Sequence, residues 1–309
     1  MAPEGVRARV SRRWTTVAVT GAGGRLGTAL LATLAADPGV SVLRWRRPEL
    51  DLDDPASSAR LVARDRPSLV IHAAAWTDVD GCAREPDLAM RRNAETTGAL
   101  ARACAGAGVR LVVVSTNEVF DGHRTDGHGY REDDPAQPRN PYGRSKLAGE
   151  TAARAAFDSG AGLWIVRVAW LYGPPGNDFP AKILVAADRL PQGEALPVVS
   201  DETGNPTWTD DLAAAIIALT ERTAGGTWHL PATGRATRLE WADAVLARLR
   251  PERPTRPISR SAFTRASDSP PWGVLDGSLA AGSGILLPDW RSSLQRYLDA
   301  DPPDERPDR

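Results

Sequence analysis

Tyr142 and Lys146 stand four residues apart, in Tyr142-Gly143-Arg144-Ser145-Lys146. On a helix that spacing puts both side chains on one face, so a phenol and an ammonium can address one point. The pair could deliver a proton, the phenol as donor and the close point charge lowering its pKa from an ordinary value of about 10. The lysine itself is unusual. Of 38 basic residues only Lys146 and Lys182 are lysine. Where arginine serves almost everywhere, a retained lysine marks a place that wants a compact ammonium rather than a bulkier planar fork.

A second group able to do chemistry lies near the start. Residues 15–20 form a short β-branched apolar run that reads as a buried strand. It leads directly into Gly21-Ala22-Gly23-Gly24-Arg25-Leu26-Gly27, and an apolar helical stretch over 28–36 follows. Strand, glycine turn and helix in this order predict a dinucleotide site. Gly21, Gly24 and Gly27 allow the tight turn, the approach of a pyrophosphate and close helix packing, with Arg25 and Leu26 between them. The second strand, 40–45, ends without the Asp or Glu that an NAD-selective fold sets against the ribose 2′-hydroxyl. Arg44, Arg46 and Arg47 stand there instead. They suit a 2′-phosphate and favour NADPH, with NADH as the alternative. Asp51 and Leu52, in the acidic segment that follows, are expected to border the adenine.

These residues need a scaffold. Apolar runs at 68–73, 111–116 and 163–168 alternate with helical stretches at 83–107 and 141–157. The succession predicts an α/β fold, a doubly wound parallel sheet of Rossmann type, over residues 14–172. Beyond 173 prolines and glycines grow frequent and the alternation is lost, with helices expected at 210–220 and 239–249. A smaller C-terminal substrate-binding domain over 173–298, sharing elements with the first, is the expectation. Residues 1–13 are basic and lack the apolar centre of a signal peptide; they and residues 299–309 read as disordered tails.

Composition narrows the function. A chain of 309 residues suits about two domains. Its net charge of −1 argues against a nucleic-acid partner. No apolar run approaches the ~20 residues that cross a bilayer, so no membrane partner is expected. Cys82 and Cys104 make no disulfide framework, which points to the cytoplasm. His72, His123, His128 and His229 lack metal-ligand spacing, and no metal is expected. The sequence leaves a homodimer open.

Parallel sheets bind ligands at the carboxyl ends of their strands. That rule gathers Ala73, Ala74 and Ala75 beside the glycine turn, and sets Val79, Asp80, Thr116, Asn117, Glu118 and Trp170 toward a substrate. Asn177, Lys182 and Thr207 complete the expected substrate contacts, with Lys182 suited to a diphosphate as a point charge. The hydroxyls of Ser115 and Thr116, with Tyr142 and Lys146, suit ketone reduction: hydride from a nicotinamide, a proton from the phenol.

Eight motifs, in order, resemble the dTDP-4-dehydrorhamnose reductase family of extended short-chain dehydrogenases/reductases. They are Thr-Gly-Ala-Gly-Gly-Arg-Leu-Gly (20–27), His-Ala-Ala-Ala-Trp-Thr-Asp-Val-Asp (72–80), Ser-Thr-Asn-Glu-Val-Phe-Asp-Gly (115–122) and Tyr-Arg-Glu-Asp-Asp-Pro (130–135). Asn-Pro-Tyr-Gly-Arg-Ser-Lys-Leu-Ala-Gly-Glu (140–150), Arg-Val-Ala-Trp-Leu-Tyr-Gly (167–173), Gly-Asn-Pro-Thr-Trp-Thr-Asp-Asp-Leu (204–212) and Leu-Pro-Asp-Trp-Arg (287–291) follow. The resemblance spans about residues 15–298. It implies NAD(P)H-dependent reduction of the 4-keto group of a nucleotide-linked, most simply dTDP-linked, 6-deoxysugar, with Thr116, Tyr142 and Lys146 as the catalytic triad. Two departures touch the substrate side. The family usually has Ser-Thr-Asp-Tyr-Val-Phe where this chain has Asn117 and Glu118. The stretch from Arg265 to Asp276 is longer than usual and lacks an Arg-Pro pair. A 4-ketoreductase of antibiotic deoxysugar or streptose-type biosynthesis fits as well as a rhamnose enzyme. Two alternatives stand beside it: a non-catalytic NADP-binding regulatory subunit, like that of methionine adenosyltransferase, and a nucleotide-sugar epimerase or dehydratase.

Overall fold

Runs of Val, Ile and Leu too short for a helix become strands buried on both faces, as a sheet covered by helices on each side requires. The computed structural model describes residues 14–158, 160–262 and 264–300. Its main sheet contains β1 (Thr16–Thr20), β2 (Ser41–Trp45), β3 (Leu69–His72), β4 (Arg110–Thr116), β5 (Leu163–Val168) and β6 (Gly226–His229). The spatial order is β6-β5-β4-β3-β1-β2, and every neighbouring pair is parallel. Chain order reverses at β1. A crevice therefore opens between the carboxyl ends of β1 and β3, where a doubly wound sheet takes its ligand.

Helices cover both faces. Leu30 and Leu34 of α1 (Arg25–Ala35) share one core with β1 and β3. Opposite, α2 (Ala56–Asp65), α3 (Thr96–Gly106) and α4 (Pro141–Ala156) supply Leu61, Leu100 and Ala153 to a second core. The sequence suggested one helix over 83–107. The structure breaks it at Glu85, where Pro86 opens a new short helix, Pro86–Ala89, and a π-helical segment, Met90–Glu95, precedes α3. Proline lacks an N–H and suits a first helical position, so the break follows from Pro86.

The C-terminal part contains α5 (Phe179–Asp188), α6 (Thr209–Arg222), α7 (Arg238–Leu249) and α8 (Trp290–Ala300). An aromatic core of Tyr172, Trp208, Trp241, Trp290 and Tyr297 joins α5, α7 and α8. This part is interleaved with the first. β6 pairs with β5, and α6 lays Leu212, Ile216 and Leu219 into the core beneath α1. Each such buried side chain contributes about 1.5–3 kcal/mol, far more than the helix's own propensity. Of the two expected tails, residues 1–13 and 301–309 lie outside the described residues, whereas Asp299 and Ala300 close α8.

Candidate active site

The glycine turn is shaped by contacts that exclude side chains. Gly21 has φ of 63°, and a Cβ there would stand 2.9 Å from the backbone of Ala74. A Cβ on Gly27 would stand 2.1 Å from the Gly21 carbonyl oxygen. Thr20 locks the neighbouring strand end: its hydroxyl meets His72 Nδ1 at 2.8 Å and accepts from the Ala74 N–H at 3.0 Å. Burial pulls the His72 pKa down to about 3, so the ring is neutral and serves as a strut. Gly24 stands at the N-cap of α1 and offers no side-chain cap, leaving the first helical N–H groups to a ligand.

A cleft of about 700 Å³ runs from this turn across the strand ends to the C-terminal part. Of the expected cofactor residues, Gly21, Gly24, Arg25, Leu26, Gly27, Arg46, Arg47, Leu52, Ala73, Ala74, Ala75, Tyr142 and Lys146 line it. Arg44 does not. It is exposed on the edge strand β2, while Trp45 beside it is buried. Successive strand residues face opposite ways, and the chain reaches the cleft only after the strand ends. Asp51 also stands apart; its carboxylate accepts from the Asp53 N–H at 3.0 Å and closes its own turn.

Val79, Thr116, Asn117, Glu118, Trp170 and Lys182 line the same cleft, Lys182 exposed at its rim. Three expected substrate residues lie outside it. Asp80 accepts from the Ser267 N–H at 3.0 Å and pairs with Arg265 at 3.5 Å, holding the 265–269 strap. Thr207 is fully buried, its hydroxyl donating to the Asn205 carbonyl and accepting from the Ala232 N–H. Asn177 is exposed on the loop before α5.

Tyr142 and Lys146 sit in the first turns of α4. Asn140 caps that helix, its side chain accepting from the Gly143 N–H at 2.8 Å, and Pro141 occupies the first position. The helix start rests on the β4 end so closely that a Cβ on Gly143 would stand 2.1 Å from the Glu118 carbonyl oxygen. Asn93, in the π-helical segment, ties the site together from behind. It bonds Trp76 through both backbone groups and donates to the Ser145 hydroxyl at 3.0 Å.

The electrostatics differ from the sequence expectation in one respect. Spacing suggested that Lys146 would lower the Tyr142 phenol. Burial instead pushes it up, with Glu118 and Cys82 adding to the rise and a hydrogen bond with Thr116 opposing it. The phenol therefore stays protonated, as a donor must. The Lys146 ammonium donates to the Val114 carbonyl at 2.8 Å, and burial lowers its pKa to about 8. Ser115, expected to polarise a carbonyl, donates instead to Glu150 at 2.6 Å. Thr116 is held more loosely: its hydroxyl donates to the Asn117 side-chain oxygen at 3.4 Å and accepts from the Glu118 N–H at 3.2 Å, which makes it the better placed of the two for that task.

The far wall joins the expected Trp170 to Phe179, Arg238 and Trp241, which no sequence motif had singled out. Arg238 stands 3.6 Å from the centroid of Trp170, beside Phe179 and Trp241. Trp170 holds a φ of 45°, uncommon for any side chain and rarer for a bulky one. Burial lowers the Arg238 pKa to about 10, so the guanidinium is charged at neutral pH. The available signal was the capping box of Thr237 and Glu240, which fixes a helix start and places Arg238 and Trp241 one turn apart on it.

A doubly wound sheet with a glycine turn at its switch point and a Tyr-x-x-x-Lys helix facing that turn defines a nucleotide-dependent short-chain dehydrogenase/reductase. Within that class, the chain belongs to the family described as RmlD substrate binding domain, whose model matches residues 15–301. It is 39% identical over 298 residues to a dTDP-4-dehydrorhamnose reductase of Streptomyces griseus, covering 93% of each chain. Among solved structures, a dTDP-4-dehydrorhamnose reductase of Clostridium acetobutylicum superposes with a TM-score of 0.86 at 30% identity, covering 92% of this chain and 99% of that one. The Bacillus anthracis dTDP-4-dehydrorhamnose reductase, solved in complex with NADP, gives 0.85 at 31% identity, covering 93% and 99%.

Proposed function

We propose that this protein is an NADPH-dependent oxidoreductase that reduces the 4-keto group of a dTDP-linked 6-deoxysugar, dTDP-4-dehydrorhamnose or a close deoxysugar or streptose-type relative. The observation that carries the reading is the convergence of Thr116, Tyr142 and Lys146 on the cleft that the glycine turn opens. Family membership and the names of the relatives support it. The cleft also fits the cofactor. Arg25 Nε is buried there with no hydrogen-bond partner, as a group reserved for an anion would be, and the glycine cradle is one that a Cβ would fill. The glycine turn and Arg25 would hold the pyrophosphate, and Arg46 and Arg47 the 2′-phosphate. When bound, the nicotinamide supplies hydride. Thr116 orients the ketone oxygen, Tyr142 gives the developing alkoxide its proton, and the Lys146 charge stabilises the phenolate left behind. Lys182 and Arg238 meet the substrate's diphosphate end. The buried free thiols Cys82 and Cys104 fit a cytoplasmic home. NADPH consumption with a panel of dTDP-linked 4-ketosugars tests the reading; no turnover with any of them overturns it.

Replacing Arg46 and Arg47 together by Ala is expected to cut kcat/KM for NADPH by about 10–100-fold, the worth of one or two charged hydrogen bonds. The NADH value should stay within about twofold, since NADH has no 2′-phosphate for them to hold. Equal losses with both cofactors would remove the two arginines from cofactor choice.

Glu118 is the departure nearest the reacting carbon. Asn140 donates to its carboxylate, and burial raises its pKa against hydrogen bonds from Asn140 and Ser269. A carboxylate accepts from sugar hydroxyls, where a tyrosine offers a donor and an apolar face. Glu118→Tyr should change the ratio of kcat/KM between dTDP-4-dehydrorhamnose and a 4-ketosugar with a differently placed hydroxyl by about tenfold. An unchanged ranking of substrates would show that Glu118 selects nothing.

A further inference from the structure

Glu150 is fully buried and has no part in the chemistry above. It lies on α4 one turn beyond Lys146, so the two side chains leave the same helix face. Four hydrogen bonds fix its carboxylate. Ser115 Oγ donates at 2.6 Å and Arg167 Nε at 3.0 Å to one oxygen; Arg167 Nη2 at 2.8 Å and Arg154 Nη2 at 2.9 Å donate to the other. Arg167 is itself 3% exposed.

α4 contributes Lys146 and Arg154 to the charged surroundings, and β5 contributes Arg167. From β6, His229 faces Arg167 at 3.5 Å, and from β3, His72 acts against Lys146. Glu132 belongs to these surroundings: its carboxylate accepts from the His229 N–H at 2.9 Å and interacts with Arg167, and burial raises its pKa. Burial holds His229 at about 4 and His72 at about 3, so both rings are neutral. The Glu150 carboxylate thus stands among two guanidiniums and an ammonium, with the Glu132 carboxylate also acting on Arg167. Burying such a carboxylate costs several kcal/mol before its partners respond, and an apolar residue would fill the space without that cost. Burial also works against the charge on Lys146, and Glu150 is the group that works for it.

We propose that Glu150 is a positioning residue for the reduction: locked by Ser115 and Arg167, its buried carboxylate stands one helical turn from the buried Lys146 ammonium and supplies the negative charge on that face of α4. The proposal rests on the reductase reading. It assigns Arg167 the task of fixing the carboxylate.

The test is Glu150→Gln, which keeps the shape and removes the charge. The measurement is the pH profile of kcat/KM with NADPH varied, which reports the free enzyme. Without the carboxylate Lys146 loses its proton more readily, so the limb that falls at high pH should move about one unit lower. Activity relative to the parent should then drop about tenfold near pH 9 and less than about twofold near pH 6. A merely structural role would lower activity by one factor at every pH, with the limb in place, and that result overturns the proposal. Should the single variant fail to fold with Arg167 left unpaired, Glu150→Gln with Arg167→Met removes both charges. Its limb should still move down, by less than in the single variant because a cation leaves together with the carboxylate, and an unmoved limb is again fatal. Tyr142→Phe run in parallel separates the two ideas. If that variant keeps turning over, the reductase reading falls. If it is inactive while the limb of Glu150→Gln stays put, only the role of Glu150 falls.

Discussion

Tyr142→Phe should lower kcat by at least about 10²-fold, the scale of lost general-acid catalysis, and leave NADPH affinity within about twofold. The loss corresponds to about 2.7 kcal/mol of barrier. The fold has much less at stake. The phenol is buried and its hydrogen bond is to Thr116, so removing it costs stability about 1 kcal/mol at most. The variant should therefore be folded, able to bind cofactor, and unable to turn over. Steady-state kinetics with a 4-ketosugar and NADPH titration of the variant decide the matter. Near-parental turnover would mean that the proton comes from elsewhere.

Gly27→Ala should remove cofactor binding and destabilise the protein. Two effects oppose each other. Alanine inside a helix gains roughly 0.5–1 kcal/mol over glycine. The new Cβ, however, meets the Gly21 carbonyl oxygen at 2.1 Å and the Ala22 Cα at 2.9 Å. Both neighbours are backbone and cannot swing away. Overpacking of this kind costs about 1–3 kcal/mol or more and shifts α1 away from the turn. The clash wins, and the anion cradle goes with it; NADPH affinity should fall by more than tenfold, as about 1.4 kcal/mol lost at the pyrophosphate suffices. Gly106→Ala is the control. That glycine ends α3 with nothing within 4 Å of a Cβ, so the substitution should be neutral or slightly stabilising. Thermal unfolding and NADPH titration of the pair read the contrast. Equal behaviour of the two would show that the turn tolerates a side chain.

Much of the molecule was legible in its sequence because the signals were local. The strand at 163–168 falls on β5 residue for residue, and the helix bearing Tyr142 and Lys146 ends one residue early. What stayed hidden depended on tertiary packing. Gly226–His229 is a four-residue strand with one apolar side chain, and nothing in it announces a place beside β5. Arg44 lies inside β2, whereas Arg46 and Arg47 follow its end and line the cleft, a matter of two residues that boundary uncertainty hides. Arg238 and Trp241 reach the cleft from some 70 residues beyond Trp170, so no spacing rule joins them. The direction of the Tyr142 shift depended on how much water the fold removes, and spacing carries no such information.

The dependence of β5 on β6 has a consequence for synthesis. When the ribosome has completed Leu163–Val168, the strand that will cover its outer edge is still about 60 residues from being made. At about 5–20 residues per second, the edge of β5 stays open for roughly 3–12 seconds. During that time Leu-Trp-Ile-Val-Arg-Val offers unpaired backbone to any passing chain, and Arg167 is its only charge. A single arginine within a run of apolar residues is how sequences restrain such a segment from stacking on a copy of itself. The side chain that later secures Glu150 thus first acts as a guard on the nascent chain.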